Sequence, residues 1–332
     1  MQNTHQILLF YKYVYIADPI ATRDWFRALG EKYDLKGRFI IATEGINITL
    51  EGTVENTEAF IVDMETDPRF HTIHMKRSPG TGTAFPKLSV KARSEIVSAH
   101  LGVCDVDPNV MTGKRLSPEE LHSWLVPKDG ESKKEFYIVD MRNAYEHAVG
   151  HFEGSILPAM DNFRDLQKIT KDIMHLKDKT VLTVCTGGVR CEKASGYLVS
   201  QGFTDVYQLD GGIVSYMEKY PNEDFHGKLY VFDSRVLMTP ARPEAEGGGF
   251  YSDDPAHIIV GKCASCAAPS ENMVDCRSGS CNGQFVICAD CEASQIDAKG
   301  HTHCPQGCPV VQVRKPSLFA QTVQKIRKVF SL

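Results

Sequence analysis

The chain has 332 residues, of which 42% are hydrophobic and 24% are charged, and its formal net charge is −5. This length predicts two or three domains, and the charge argues against a uniformly basic surface of the kind that coats nucleic acid. The N-terminus has no secretion signal and no run is apolar enough to span a membrane, so we expect a soluble, cytoplasmic protein. Its 11 cysteines are therefore interpreted as metal ligands and reactive thiols.

Residues 1–112 predict a ferredoxin-like domain. The expected strands are 7–14, 37–43, 46–51 and 88–97, and the expected helices are 19–33 and 54–65. Their order along the chain, strand–helix–strand–strand–helix–strand, is that of the ferredoxin-like fold.

Residues 69–94 of this domain form a basic segment that contains no acidic residue. Aromatic and histidine side chains lie among the basic ones, and a Pro-Gly-Thr-Gly turn at 79–82 predicts a mobile loop. Such a segment suits a surface that follows a phosphate backbone and stacks exposed bases, although a solvated edge strand and loop would have the same composition. The candidate nucleic-acid contacts are Lys76, Arg77, Lys87, Lys91 and Arg93.

Residues 113–228 predict an α/β domain with a parallel sheet. Ser117, Pro118 and Glu120 form a capping-box pattern at the start of a helix, and an apolar, β-branched run at 180–184 predicts the central strand. This strand ends at Cys185. Because open parallel sheets bind ligands at the carboxyl ends of their strands, Cys185 lies where a site is expected.

A loop of six residues follows the central strand and reads Cys185-Thr186-Gly187-Gly188-Val189-Arg190. Its glycines allow the backbone N–H groups of Thr186, Gly187, Gly188 and Val189 to point inward as an anion-binding nest. The guanidinium of Arg190 and the positive end of the next helix add to this field, so the loop favours the thiolate, which is the nucleophile. The alternative is a cysteine that only fills the core.

The size of the loop indicates its chemistry. Four residues separate Cys185 from Arg190, one fewer than in the Cys-x5-Arg loop of cysteine phosphatases. A smaller ring of amides suits a sulfur atom carried on the cysteine better than a phosphate, which argues against phosphoryl transfer. Cys191 either resolves an oxidised Cys185 as a disulfide or is a small residue that closes the start of the helix.

Residues 229–332 contain four cysteine pairs, a strong signal for zinc in a cytoplasmic protein. In a cross-braced arrangement, one ion is held by Cys263, Cys266, Cys288 and Cys291, and the other by Cys276, Cys281, Cys304 and Cys308. His301 and His303 are possible substitutes, and disulfides or a redox cluster are the alternatives. Closed four-thiolate sites would be structural, because no position remains for water or substrate.

The C-terminal segment from residue 298 onward has six basic residues and no acidic one. Its apolar residues at 323, 326, 329 and 330 predict one face of a basic amphipathic helix. This helix either docks on the protein itself or contacts nucleic acid.

Two resemblances follow from these motifs. Asp140-x-Arg142, Glu146, Gly150-His151 and the Cys185 loop are similar in order and spacing to the rhodanese (sulfurtransferase) domain. That resemblance implies a persulfide-forming Cys185, with Asp140, Arg142 and His151 mainly pinning loops. The fuller set of motifs, shown by Phe10-Tyr11-Lys12-Tyr13, Glu44-Gly45-Ile46-Asn47 and Cys191-Glu192-Lys193, resembles the bacterial tRNA uridine hydroxylase family.

The second resemblance implies an acylphosphatase-like first domain, a rhodanese domain and a cysteine-rich tail. It also implies oxygen-dependent conversion of the wobble uridine of tRNA to 5-hydroxyuridine, with the anticodon region as partner. No flavin or dinucleotide motif and no 2-His-1-carboxylate triad is apparent, so a direct role for sulfur is expected. Either the Cys185 thiolate adds to C6 of the uracil, or Cys185 carries an oxidised or persulfide sulfur. A sulfurtransferase and a non-catalytic adaptor are the rival functions.

Overall fold

The computed structural model describes residues 4–128, 130, 134–239, 257–277, 281, 283–295, 297 and 302–304. The chain divides into two compact units, Met1–Ile258 and Ile259–Leu332. The first unit holds two separate larger sheets. No helix in the described part of the chain combines the length and hydrophobicity that crossing a bilayer requires.

The first sheet has five strands in the order β4-β1-β3-β2-β5. Its elements are β1 (His5–Tyr13), α1 (Pro19–Lys32), β2 (Lys36–Ala42), β3 (Gly45–Thr53), α2 (Val54–Met64), β4 (Lys76–Pro79) and β5 (Leu88–Ala92). Each neighbouring pair among β4, β1, β3 and β2 is antiparallel, as the ferredoxin-like fold requires. The predicted fold class is confirmed for this part of the chain.

The fourth strand of this fold is not the predicted one. The short strand β4 pairs with β1, whereas the predicted strand at 88–97 is observed as β5, which pairs in parallel with β2 at the opposite edge. Strand β4 has the sequence Lys-Arg-Ser-Pro, without the apolar alternation that predicts a strand from sequence. Its pairing with β1 is a tertiary effect.

The two helices cover one face of this sheet. Phe26 of α1 and Phe60 of α2 pack in a core with Phe10 and Ile48 of the central strands. Because side chains alternate along a strand, the neighbouring residues Leu9 and Tyr11 and their equivalents on β3 point to the other face. That second face is left for the site described below.

The second sheet is parallel, in the order β6-β10-β9-β7. Its region comprises β6 (Lys114–Leu116), α3 (Pro118–Leu125), β7 (Tyr137–Asp140), α4 (Ala144–His147), β8 (Gly150–Phe152), α5 (Leu166–Asp172), β9 (Thr180–Val184), α6 (Val189–Ser200), β10 (Asp205–Leu209), α7 (Gly212–Lys219), β11 (Phe225–Gly227), β12 (Leu229–Tyr230) and β13 (Leu237–Met238). One core contains Ala194 of α6, and another contains Ile213 of α7, so helices cover both faces. The central strand β9 carries Cys185 at its end, as predicted.

The second unit contains a hairpin and a short helix among its described residues. These are β14 (Met273–Asp275), β15 (Gln284–Val286) and α8 (Ala289–Gln295), with β14 and β15 antiparallel. Cys308, His301, and the six basic residues and amphipathic helix predicted in the C-terminal segment lie outside the described residues.

Candidate active site around Cys185

The Cys185 loop joins the carboxyl end of β9 to the start of α6. Its first two carbonyl groups point away from the sulfur, because the carbonyl of Cys185 accepts from the N–H of Ile213 at 2.9 Å and that of Thr186 from the N–H of Val214 at 3.1 Å. Both donors belong to the first turn of α7, where N–H groups have no partner within the helix. The helix therefore fixes the start of the loop.

Glycine is required where the loop turns inward. The N–H of Gly188 donates to the Cys185 sulfur over 3.2 Å, and Gly188 adopts a left-handed φ of 99°. A Cβ at this position would lie 2.8 Å from the hydroxyl oxygen of Tyr11. Both the backbone conformation and the close approach of the first domain exclude a side chain here.

Arg190 is fixed by a buried carboxylate. Its guanidinium donates to both carboxylate oxygens of Glu146, at 2.6 and 2.8 Å, and to the hydroxyl of Thr186 at 3.3 Å. Glu146 also accepts from the N–H of Asn143 at the start of α4. This bidentate geometry sets the position of the Arg190 charge beside Cys185.

The two neighbouring thiols are pushed in opposite directions. Burial alone would raise the pKa of Cys185, but the hydrogen bond from the Cys191 thiol, the Arg190 charge and the N–H groups of Cys191 and Gly188 outweigh it and lower the pKa to about 6. Burial and the adjacent Cys185 raise the pKa of Cys191 well above its ordinary value. Cys185 is therefore the thiolate of the pair and Cys191 the proton donor.

The predicted supporting residues lie behind the loop. Arg142 donates to both oxygens of Asp140, at distances from 2.6 to 3.1 Å, and to the carbonyl of Gly150 at 2.6 Å. Arg142 and Asp140 are completely buried. His151 shares a hydrogen bond with the carbonyl of His147 at 2.8 Å. These contacts tie strand ends and loops together without reaching the sulfur.

A cavity of about 870 Å³ opens in front of the loop. One wall consists of Cys185, Thr186, Gly187 and Arg190. The facing wall is the helix-free side of the first sheet, with residues Leu9, Tyr11, Ile40, Asn47 and Thr49. The volume is within the range of about 300 to 1,000 Å³ that is usual for small-molecule sites.

Comparison with protein families accounts for most of the chain. Residues 5–96 match the UPF0176 acylphosphatase-like domain, residues 117–219 match the rhodanese-like domain, and residues 226–309 match the rhodanese C-terminal region. These matches agree with the fold class predicted from the sequence.

Curated relatives match over nearly the whole length. A protein named tRNA uridine(34) hydroxylase from Cytophaga hutchinsonii is 38% identical, covering 94% of this chain and 92% of the relative. A protein of the same name from Bacillus licheniformis is 39% identical, covering 91% of this chain and 88% of the relative. Another from an Arthrobacter species is also 39% identical, covering 92% of this chain and 98% of the relative. The chain belongs to the tRNA uridine(34) hydroxylase family. The predicted resemblance is therefore confirmed.

Motif residues that marked the family resemblance meet between the two domains of the first unit. In this hydroxylase-family chain, the Tyr11 hydroxyl donates to Glu192 over 3.1 Å, and the Tyr13 hydroxyl donates to the carbonyl of Val189 over 3.2 Å. Lys193 is completely buried and forms an ion pair with Glu44 at 2.6 Å. In the sequence these residues are recognisable only as family motifs, because their structural roles depend on contacts between residues more than a hundred positions apart.

The cysteines of the second unit form two clusters. The sulfur atoms of Cys263, Cys266, Cys288 and Cys291 all lie within 4.8 Å of one another, and so do those of Cys276, Cys281 and Cys304. The grouping is that predicted for two ions, with Cys308 outside the described residues. The sulfurs of Cys266 and Cys288 are 3.6 Å apart, and those of Cys281 and Cys304 are 3.7 Å apart. Four sulfurs around tetrahedral zinc lie about 3.8 Å apart, so the donor sets fit a metal ion.

The five candidate nucleic-acid contacts occupy different environments. Lys87, Lys91 and Arg93 are exposed, and Arg93 lines the cavity. Arg77 also lines the cavity and pairs with Glu58. Lys76 differs from the others because it is only 6% exposed and donates to the carbonyl of Gly187 at 3.0 Å. Arg38 and Arg164 also line the cavity, and neither belongs to a sequence pattern that predicts a site.

Proposed function

We propose that this chain hydroxylates a uridine of tRNA at the wobble position and that Cys185 is its catalytic nucleophile. The observation that carries the proposal is the cavity that joins the Cys185 thiolate to exposed arginines. Family membership supplies the substrate class, since the relatives are named for a tRNA uridine. A cytoplasmic location follows from tRNA as the partner.

The arginines suit the phosphates of the bound nucleotide. Arg38, Arg93 and Arg164 are exposed side chains that line the cavity, and none forms an ion pair with a carboxylate among the described residues. Guanidinium groups without a carboxylate partner are available for phosphate oxygens. Of the predicted tRNA contacts we retain Arg77, Lys87, Lys91 and Arg93, leave out Lys76 because it is buried, and add Arg38 and Arg164.

In the proposed chemistry, the Cys185 thiolate adds to C6 of the uracil. A C–S bond forms, and the electron pair of the C5–C6 double bond moves toward the C4 carbonyl, which makes C5 nucleophilic. After C5 has gained an oxygen atom, loss of its proton expels the thiolate and restores the double bond. The net change replaces hydrogen by hydroxyl at C5. With dioxygen as oxidant, one oxygen atom enters the product and the other leaves as water. The two electrons that this water requires come from a thiol donor, which is oxidised to a disulfide.

We propose domain limits at 1–112, 113–228 and 229–332, with structural zinc in the third. The two cysteine clusters would hold one ion each. Each ion would be structural because four thiolates leave no open position for water or substrate, and its binding would stabilise the folded state. The anticodon region of the tRNA is proposed to enter the cavity of the first unit. Cys191 is proposed to protect the Cys185 thiolate and to resolve it when it becomes oxidised.

The test is mass spectrometry of tRNA nucleosides from cells that lack the gene. The cells are complemented with the wild-type protein, with Cys185→Ser, or with Cys104→Ser as a control that alters an exposed cysteine outside the loop. We expect wild type and Cys104→Ser, but not Cys185→Ser, to restore 5-hydroxyuridine and its derivatives. Restoration by Cys185→Ser would refute the proposed nucleophile, and unchanged hydroxylation without the gene would refute the function. Loss of the product under anaerobic growth tests the requirement for oxygen.

The rhodanese-like match and the six-residue cysteine loop favour a sulfurtransferase as the second candidate. It predicts efficient sulfur transfer from thiosulfate to cyanide and a loss confined to thiolated nucleosides in the deletion strain. The arginine-lined cavity favours the first candidate, because small sulfur donors do not require several phosphate-binding groups.

A further inference from the structure

We propose that Lys76 is a positioning residue for Cys185: from the first sheet it holds the Gly187–Gly188 peptide in the orientation that directs an N–H to the sulfur. The inference rests on Cys185 being the nucleophile of the proposed function. It assigns the first domain a part in the cysteine loop itself, in addition to a wall of the cavity.

Three successive carbonyl groups of the loop are each held by a hydrogen-bond donor. Those of Cys185 and Thr186 are held outward by the backbone N–H groups of Ile213 and Val214. The third, that of Gly187, accepts instead from the ammonium group of Lys76 at 3.0 Å. The domain with the parallel sheet thus supplies the first two donors from the backbone of α7. The third donor is a side chain of strand β4, in the first domain.

One peptide unit links Lys76 to the sulfur. The carbonyl of Gly187 and the N–H of Gly188 belong to the same peptide, and in a trans peptide these groups point in opposite directions. No described peptide bond is cis. While Lys76 holds the carbonyl outward, the N–H points inward, where it lies 3.2 Å from the Cys185 sulfur.

This peptide needs an external constraint. It lies between two glycines, which have the widest choice of backbone conformations, so the peptide can rotate with little steric cost. Rotation would direct the Gly187 carbonyl, which carries a partial negative charge, toward the thiolate. A cationic donor on that carbonyl opposes the rotation and polarises the N–H on the other side of the same peptide.

The surroundings of Lys76 leave it directed at the loop. It is 6% exposed and forms no ion pair in the described part of the chain; the carboxylate of Asp210, whose charge acts on Lys76, pairs with Arg115 at 3.0 Å instead. Burial lowers the pKa of Lys76, while the charges of Cys185, Glu218 and Asp210 oppose that effect. Other titratable groups also act on Lys76 and Cys185 from the elements packed around them. They are Tyr11, Tyr13, His74, Arg115, Glu146, Arg190, Cys191, Glu192, Asp210 and Glu218.

The experiment measures the ionisation of Cys185 in the full-length protein. Samples are pulsed with iodoacetamide between pH 4 and 10, denatured, blocked with a second reagent and digested with trypsin. Cleavage after Lys179 and Arg190 releases residues 180–190, in which Cys185 is the one cysteine, so its labelling is separated from that of Cys191. The pH midpoint of labelling gives the Cys185 pKa.

Lys76→Met is compared with Lys12→Met. Lys12 is a matched control, because it is another lysine of the first domain whose ammonium group donates to a backbone carbonyl, that of His71 at 2.9 Å. We expect Lys76→Met to raise the midpoint by about one pH unit, which is about a tenfold loss of thiolate at acidic pH. We expect the midpoint of Lys12→Met to equal that of the wild type. Lys76→Gln keeps a hydrogen-bond donor without the charge, so its midpoint should lie between those of the wild type and Lys76→Met.

Wild-type midpoints for Lys76→Met and Lys76→Gln, with unchanged near-ultraviolet circular dichroism, would overturn the proposal. Equal shifts for Lys76→Met and Lys12→Met would also overturn it, because a loss of positive charge anywhere in the domain would then explain the effect. The readout uses no tRNA. Failure of the proposed function would appear as missing hydroxylation by the wild-type protein, and it would leave the labelling result intact.

Discussion

Replacing Glu146 by Gln should lower the stability of the protein and increase the acidity of Cys185. Glu146 is completely buried, and its carboxylate accepts both donors of the Arg190 guanidinium at 2.6 and 2.8 Å. Removing one partner of such a pair leaves a buried charge without compensation, which costs about 3–5 kcal/mol. The same change frees the Arg190 charge to act on the thiolate, so the Cys185 pKa should fall below about 6.

Urea denaturation measures the first effect and the labelling of peptide 180–190 measures the second. The control is Glu135→Gln, which breaks an ion pair with Lys179 at 2.9 Å between two exposed side chains and should change neither quantity. A Glu146→Gln protein with wild-type stability would refute the assignment of a buried ion pair. A rise in the Cys185 pKa would show that Glu146 acts by holding Arg190 in place more than by neutralising it.

Three further predictions concern ionisation, tRNA contacts and metal. Because the folded-state pKa of Cys185 is lowered to about 6, its labelling rate should rise about tenfold per pH unit below pH 6 and level off above it, and a rise that continues to pH 9 would contradict the assignment. Arg38→Gln and Arg164→Gln should each weaken tRNA binding, measured by filter binding, and reduce its salt dependence by the equivalent of about one phosphate contact. The control is Arg23→Gln, because Arg23 lies on α1, on the helix-covered face of the first sheet, and pairs with Asp24. Cys266→Ser should remove one of the two proposed zinc ions, measured by elemental analysis, and a full zinc content would refute the predicted grouping.

The cysteine loop could be predicted from the sequence because its determinants are local. A buried strand, two glycines and an arginine lie within a few residues, and they specify the position of Cys185 and the left-handed turn at Gly188, whereas the orientation of the Gly187–Gly188 peptide depends on Lys76. The two cysteine clusters could be predicted for the same reason, since ligand spacing in zinc modules restricts which pairs share an ion.

Strand β4 and Lys76 could not be predicted in this way. The segment Lys76–Pro79 has no strand pattern and becomes one by pairing with β1, about seventy residues earlier. Its lysine looked like a surface contact for nucleic acid because it belongs to a basic segment, and only the packing of the two domains brings it to Gly187. Charge composition predicts how basic a surface is, but it does not predict which cation is buried.

The packing of the first domain on the cysteine loop explains why this domain belongs to the enzyme. A ferredoxin-like sheet with helices on one face leaves the other face open, and such a face requires a partner. Here the open face carries Tyr11 close to Gly188, while β4 places Lys76 on the Gly187 carbonyl. The domain with the parallel sheet, if alone, would keep the loop sequence. It would lose the Lys76 ammonium group on the Gly187 carbonyl and the cavity wall that the first sheet forms. Cys185 chemistry on a nucleotide would therefore depend on both domains, and the Cys185 midpoint of the Lys76→Met protein measures that dependence directly.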